Sequence, residues 1–389
     1  MAENVLYLSY DGLTDPLGQS QILPYLAGLA RLGHCISIIS FEKDDRVETG
    51  GEQIYQFCRE NNLTWHPLRY HKRPPIFSTL YDVWCMRQRA QKLHAQTPFT
   101  IVHCRSYITA LIGRWLKNTY GIRFVFDMRG FWADERVEGG LWNLRSPLYR
   151  RVYNFFKGQE RKFLHDADAV IVLTMAARAE ILSWGVDDKI TVIPCCVDVQ
   201  LFDRGAVAAA DTEAWRTRLG IPPGAYVLLY LGSIGTWYLW NEMVLFFERL
   251  QKEHANAKFL ILTPDVDKII PRADFIVRTV SRQEVPALIS LADASVCFIK
   301  PSFSKKGSSA TKMAEVLAMG VPVITNPGWG DVAFLADKLD NLLVVDPNAQ
   351  QTPIIPVSSD PVSRAFFDDF FSLAEGVKRY DTVYHRLGC

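Results

Sequence analysis

The sequence predicts two doubly wound α/β domains, each built on a parallel sheet, and three observations lead there. Short apolar runs alternate with longer stretches of helical spacing along most of the chain. The runs are continuously rather than alternately hydrophobic, as strands buried on both faces of a parallel sheet are. The length of 389 residues, 49% of them hydrophobic, suits two medium domains better than one. Charged residues make up 22% of the chain and balance to a formal net charge of +1. That excludes a wholly disordered chain and counts against a protein built to coat nucleic acid, so no nucleic-acid partner is expected.

The first strand is expected at residues 5–9, then a helix over 19–32 that stops at Gly33, then a strand at 35–41. The same alternation returns with strands at 100–104, 124–128, 169–173 and 191–194. A second cycle begins after the turn-rich stretch 221–224, with strands at 226–231, 259–263, 275–277, 294–299 and 322–325. Helices are expected at 242–253, 285–291 and 309–319. The polar, alanine-rich piece 198–214 reads as a linker and entry helix. Domains are therefore expected at 1–197 and 215–360, with a tail 361–389 whose helical pattern over 363–386 is too rich in Phe and Tyr to hang free.

The eight cysteines include no Cys-x-x-Cys spacing, and Cys195 and Cys196 are adjacent, which suits neither an ordinary disulfide nor a zinc site. Several lie inside apolar runs, where a free thiol behaves as a small hydrophobe. The opening Met-Ala-Glu-Asn-Val-Leu-Tyr lacks the basic start and long apolar core of a secretion signal. No apolar run reaches the ~18–20 residues that span a bilayer. A reduced, cytoplasmic setting is expected.

In open parallel sheets, ligands gather beyond the carboxyl ends of the strands. The loop 11–20 leaves the first strand as Asp-Gly-Leu-Thr-Asp-Pro-Leu-Gly-Gln-Ser. Gly12 and Gly18 let backbone approach a ligand, and amides at Gln19 and Ser20 suit a phosphate; an ordinary βα turn explains the loop equally well. There is no Gly-x-Gly-x-x-Gly and no P-loop lysine, which weighs against dehydrogenases and P-loop enzymes. The segment 305–326 is more specific: Lys-Lys-Gly-Ser-Ser-Ala-Thr-Lys-Met-Ala-Glu-Val-Leu-Ala-Met-Gly-Val-Pro-Val-Ile-Thr-Asn. A Gly/Ser loop precedes a helix expected to start near Ser308 and Ser309, and the helix leads into a buried strand. Helix-start amides with Lys305, Lys306 and Lys312 suit a diphosphate. Glu315, about two turns in, suits vicinal ribose hydroxyls.

The run 308–324 strongly resembles the donor-binding motif of retaining glycosyltransferases of family 4, which have the GT-B fold of two Rossmann-like domains with a cleft between them. Tyr-Leu-Ala-Gly-Leu-Ala-Arg-Leu-Gly-His at 25–34, Ile-Thr-Val-Ile-Pro-Cys-Cys-Val-Asp at 190–198 with Phe202, and Leu-Tyr-Leu-Gly-Ser-Ile-Gly at 229–235 resemble other motifs of that family, in its order. The resemblance implies a second domain that binds a nucleotide diphosphate sugar and a first domain that binds an acceptor hydroxyl, on a glycan or lipid-linked glycan. It implies retention of configuration, no metal or cofactor, a role in polysaccharide biosynthesis, and a tail helix that crosses back to the first domain.

By the same resemblance, Glu315 is the second glutamate of the family's Glu-x7-Glu pair, the one that holds the donor ribose. The first, on the sugar, falls at Gly307, a departure from the pattern. The family's phosphate-binding Arg and Lys, expected just after Gly232, Ser233 and Gly235, are also missing. Family branches with a Ser-x-x-Lys-x-x-Glu version make Lys312, with Lys305, the substitute cation. The donor-binding set implied is Gly18, Gln19, Gly232, Ser233, Gly235, Lys305, Gly307, Ser308, Ser309, Thr311, Lys312 and Glu315. The catalytic set is Lys312, Arg129 and Glu315, with no metal ligand. Arg129 stands where the family often carries a His-Gly; it suits a donor phosphate or an anionic acceptor, or else forms a buried pair with Asp127. His103 is read as a catalytic residue or a hydrogen-bonded core residue. Asp265-Val-Asp267 has the form of a metal motif from another fold and is expected to be a solvated loop.

Two rivals share the diphosphate site: a nucleotide-sugar 2-epimerase, and a non-catalytic nucleotide-sugar-binding subunit motivated by Gly307. The stretch 141–163 interleaves Arg145, Arg150, Arg151, Lys157, Arg161 and Lys162 with Trp142, Tyr149, Tyr153, Phe155 and Phe156. It reads either as a helix with an aromatic core face or as a surface for anionic lipid, which would place the protein on the inner face of the plasma membrane.

Overall fold

The computed structural model describes residues 2–349 and 361–388, and the chain divides into two compact units, Met1–Pro194 with Leu373–Cys389, and Cys195–Ser372.

The first unit holds seven strands: β1 Asn4–Ser9, β2 Cys35–Glu42, β3 Leu63–Arg69, β4 Ile101–Arg105, β5 Arg123–Asp127, β6 Ala169–Val172 and β7 Ile190–Val192. They lie in the order β3-β2-β1-β4-β5-β6-β7, every neighbouring pair parallel. Ser9 pairs with Arg105 and Arg105 with Asp127, so the order reverses beside β1 with these three residues abreast at the carboxyl ends. The central strands are fully buried, which is why they read as continuous apolar runs. β3 went unread: it is an edge strand, and His66 and Pro67 break its apolar pattern.

The tail is two helices rather than one. Pro361–Phe371 belongs to the second unit and Leu373–Gly388 to the first. The latter packs on the helix Leu23–Arg31, at Gly28. A Cβ on Gly28 would stand 2.5 Å from a Val377 methyl, so only glycine admits this approach. Tyr25 meets Tyr380 edge-on nearby.

The second unit holds β8 Val227–Leu231, β9 Lys258–Leu262, β10 Phe275–Arg278, β11 Ala294–Cys297, β12 Val323–Thr325 and β13 Leu342–Val344, ordered β10-β9-β8-β11-β12-β13 and parallel throughout. Residues 198–214 are part of this unit, not a linker. Phe202 is fully buried in its core, and the helix Ala209–Arg218 packs against Val285–Ile289. An aromatic ring left on a free linker would forfeit that burial.

Candidate functional site

In the second unit, the segment 305–326 forms a short 3-10 turn at Ser304–Gly307, then the helix Thr311–Ala318, then β12. The helix starts two residues later than the sequence predicts. Ser309 is not its cap: Ala310 is, and the Ser309 hydroxyl accepts the Cys195 amide at 3.1 Å. Ser308 closes the preceding turn, its amide donating to the Lys305 carbonyl at 3.1 Å. The first-turn amides from Thr311 onward have no partners inside the helix.

Glu315 is fully buried. Its Oε1 accepts from Arg282 Nη1 at 2.8 Å and its Oε2 from Lys312 Nζ at 3.2 Å. Both cations are partly exposed, at 32% and 43% of their side chains, so the carboxylate sits inside while the two cations reach the surface. Arg282, from the loop after β10, also lies over the Phe202 ring, 5.3 Å from its centroid. The sequence reading missed Arg282. Thirty-three positions separate it from Glu315, and its polar loop carries no motif.

Lys305 is buried, with Nζ 3.9 Å from the centroid of the Trp237 ring. That ring belongs to the loop opened by Gly232, Ser233 and Gly235, so the two glycine-bearing loops meet through a cation–π contact. Gly307 is buried in the turn beyond. The 232–235 loop is fixed from β9's side: Ile234 donates its amide to Asp265 Oδ2 at 2.8 Å, and Lys268 donates to the Ile234 carbonyl at 2.8 Å. Asp265 is therefore a loop tie rather than merely solvated. Its hydrogen bonds from Lys268 and Ile234 hold its carboxyl below the usual range.

In the 11–20 loop the hydrogen bonds are those of an ordinary βα turn. Leu13 and Thr14 amides donate to Glu42 at 2.8 and 3.1 Å, and the Thr14 hydroxyl donates to it at 2.6 Å. The Gln19 amide bonds to the Asp15 carbonyl at 3.1 Å, and its side chain to the Thr14 carbonyl at 3.1 Å. Gly18 is buried against Gly12 and Leu13, where a Cβ would stand 2.2 Å from the Gly12 carbonyl oxygen. The buried Glu42 carboxylate thus takes the Leu13 and Thr14 amides, the Gln19 amide is spent on the Asp15 carbonyl, and Gly18 packs against Gly12 and Leu13.

At the carboxyl ends of β1, β4 and β5 lies a buried polar cluster. His103 is bonded through Nδ1 to the Tyr384 hydroxyl at 2.7 Å and through Nε2 to Asp127 at 3.5 Å. Tyr380 donates to Asp127 at 3.1 Å. Both tyrosines come from the returning C-terminal helix, which makes His103 a core residue. Arg129 Nη1 stands 3.9 Å from Asp127 Oδ1, an oxygen with no hydrogen-bond partner among the described residues. Burial would raise the Asp127 carboxyl, but the charges of Arg129, His103 and Arg105 outweigh it and hold it low. Burial pushes His103 down, only partly offset by Asp127. Arg129 adopts φ +57° and Gly130 φ +112°, a left-handed pair that turns the chain just past β5. Arg105, also buried, reaches Asp11 at 3.4 Å. Two guanidiniums thus share one buried carboxylate and one half-exposed one.

In 141–163 most rings turn inward. Phe156 is buried, and Tyr153 and Lys157 bond Asp134 at 2.8 Å each, while Leu141, Leu148 and Phe155 remain exposed. His34, Asp381 and His385 are close enough to hold a metal. However, His34 Nδ1 accepts the Glu3 amide at 3.1 Å, so its Nε2 carries the proton and donates to Asp381 at 2.8 Å. Ligation through Nε2 would require an imidazolate, and the trio is a clasp for the C-terminal helix. No described helix is long and apolar enough to cross a membrane.

Comparison with known proteins fits this architecture. The family model described as Glycosyltransferase Family 4 matches residues 22–201. A D-inositol 3-phosphate glycosyltransferase of Kineococcus radiotolerans is 26% identical over 147 residues, 37% of this chain and 32% of the relative. One of Thermomonospora curvata is 25% identical over 149 residues, so the matched stretch spans about a third of the length of these curated relatives. Among solved structures, Anabaena HepE in complex with UDP and glucose superposes with a TM-score of 0.70 at 12% identity, covering 98% of this chain and 99% of that one. A glycosyltransferase of Rickettsia africae gives 0.67 at 16% identity, covering 99% and 98%. The chain thus has two parallel-sheet α/β units of the GT-B kind, with a Glycosyltransferase Family 4 match across most of the first.

Proposed function

We propose that the chain is a glycosyltransferase that moves a sugar from a nucleotide diphosphate sugar to an acceptor hydroxyl, with retention of configuration and without a metal. The observation that carries this reading is the buried Glu315, one turn into the Thr311–Ala318 helix, held between Lys312 and Arg282. A carboxylate fixed in this way suits ribose hydroxyls, and a lysine beside unpaired helix-start amides suits a diphosphate. In the transfer, the bond from the anomeric carbon to the diphosphate oxygen breaks and the acceptor oxygen bonds on the same face. The acceptor's proton passes to the departing diphosphate. Charge grows on that group as it leaves, so Lys312 and the helix-start amides contribute most at the transition state. Gly307, with no side chain, leaves the sugar to be held by other groups. The acceptor in this reading is a glycan or lipid-linked glycan, and the paired guanidiniums of Arg105 and Arg129 favour one that bears an anionic group.

UDP-glucose is the first donor to try, since Anabaena HepE was solved with UDP and glucose. The purified chain should bind UDP, and Glu315→Ala should weaken that binding roughly ten- to a hundredfold, the loss of charged hydrogen bonds worth about 1.5–3 kcal/mol. Equal UDP affinity in the variant, or no binding of any nucleoside diphosphate by the wild type, would overturn the assignment.

A further inference from the structure

The helix Phe77–Gln96 is amphipathic in the wrong sense for its position. Its inner face is Ser78, Asp82, Met86 and Ala90. Its outer face carries Phe77 (72% exposed), Leu80 (61%), Tyr81 (51%) and Trp84 (55%). The spacing i, i+3, i+4, i+7 sets these four on one stripe, with Tyr81 and Trp84 stacked 5.9 Å apart. Scattered exposed hydrophobics are ordinary, but four large ones together on two turns are not.

The surroundings are basic. Lys72 and Arg73 precede the stripe, and Arg87, Arg89 and Lys92 follow it along the helix. Asp82 is the only carboxylate between residues 70 and 96, and it is buried, bonded to the Tyr10 hydroxyl at 2.8 Å and to His71 Nδ1 at 2.6 Å. The exposed charge of this segment is therefore all positive. A second copy of the chain fits poorly, because a two-fold contact through this face would set lysines and arginines against their own images. Rings with a polar tip, flanked by long cationic side chains, match the boundary between water and hydrocarbon.

We propose that the Phe77–Trp84 stripe, with Lys72, Arg73 and Arg87, docks the first unit onto a membrane surface rich in anionic lipid. The site differs from the 141–163 stretch, where most of the rings turn inward. Right-handed crossovers from β3 to β4, β4 to β5 and β5 to β6 place Phe77–Gln96, Ser106–Tyr120 and Pro147–Asp166 on one face of the sheet. The basic surface of the third helix is thus a secondary contact on that side. The proposal does not depend on the transfer reaction.

The test is sedimentation of the full chain with vesicles of phosphatidylcholine alone, or of equimolar phosphatidylcholine and phosphatidylglycerol, at low and high salt. Wild type should pellet with the mixed vesicles at low salt and be released by salt. Lys72→Glu with Arg73→Glu should cut partitioning roughly thirtyfold, at about 1 kcal/mol per basic residue near the surface. Phe77→Ser with Trp84→Ser should lower it at least as far, with unchanged circular dichroism, since both side chains are more than half exposed. Failure of the wild type to pellet overturns the proposal. So does wild-type pelleting by both double variants, or loss of binding only in Arg150→Glu with Arg151→Glu. A lipid-free dimer that Trp84→Ser dissolves would assign the stripe to a second copy instead.

Discussion

Replacing Arg282 with alanine isolates the ion pair that fixes Glu315. The change removes the 2.8 Å bond to Oε1 and leaves a fully buried carboxylate held by Lys312 alone at 3.2 Å. Breaking a fully buried pair costs about 3–5 kcal/mol. Here the guanidinium is 32% exposed, so water screens the pair and about 1.5 kcal/mol, the low end for a charged hydrogen bond, is the better figure. For a unit of this size that is a fall of roughly 3–6 °C in melting temperature. UDP affinity should fall by about tenfold as the carboxylate loses its fixed orientation. The assay is a double-mutant cycle with Glu315→Gln, read by thermal melting and by UDP titration. Once the carboxylate is an amide, Arg282→Ala should cost only its stacking on Phe202, a few tenths of a kcal/mol to about 1. If Arg282→Ala costs the same in both backgrounds, the arginine does not act through Glu315 and the reasoning fails.

Lys312→Ala should lower kcat more than donor affinity, because its charge matters most as the diphosphate departs; steady-state kinetics with a working donor will separate the two, and a kcat within about twofold of wild type would return Lys312 to a surface role. Gly28→Ala should destabilise the first unit by about 1–3 kcal/mol, since the new methyl meets Val377 at 2.5 Å; a melt matching wild type would mean the helices shift apart without cost. Acidification should weaken the first unit through His103. Burial lowers its folded pKa below the ordinary 6.5, so its contribution is complete above that value and is lost as pH falls below it toward the folded pKa. Urea midpoints at pH 7.5 and 5.5 should differ less in a His103→Gln variant than in wild type.

What the sequence revealed, and what it hid, follows burial. Strands such as β4 and β6 are buried on both faces and announce themselves as apolar runs, whereas β3 is an edge strand broken by His66 and Pro67. Lys312 and Glu315 are one helical turn apart, and local spacing exposes such a pair. The Arg282–Glu315 and Glu42–Thr14 contacts join distant segments, and neither leaves a local pattern. Glu42 is instructive because it ends an apolar strand as a single charged residue, and only the fold reveals that it consumes the amides of the loop before it. The break at Ser372 was hidden for another reason. The Phe- and Tyr-rich periodicity runs through it, but the helices on either side bury their rings in different cores.

The route of the chain through the first unit has a consequence for synthesis. His103 obtains its Tyr384 partner 281 positions later, and the outer side of the Leu23–Arg31 helix at Gly28 is packed against the returning C-terminal helix. A nascent first unit therefore presents an open apolar groove, lined by Gly28 and Tyr25, until the whole second unit has been translated. At about 5–20 residues per second that interval is on the order of ten to forty seconds, far longer than collapse takes. During it the groove is a natural target for chaperones, and a stalled ribosome would leave all seven strands of the sheet made and the last helix missing.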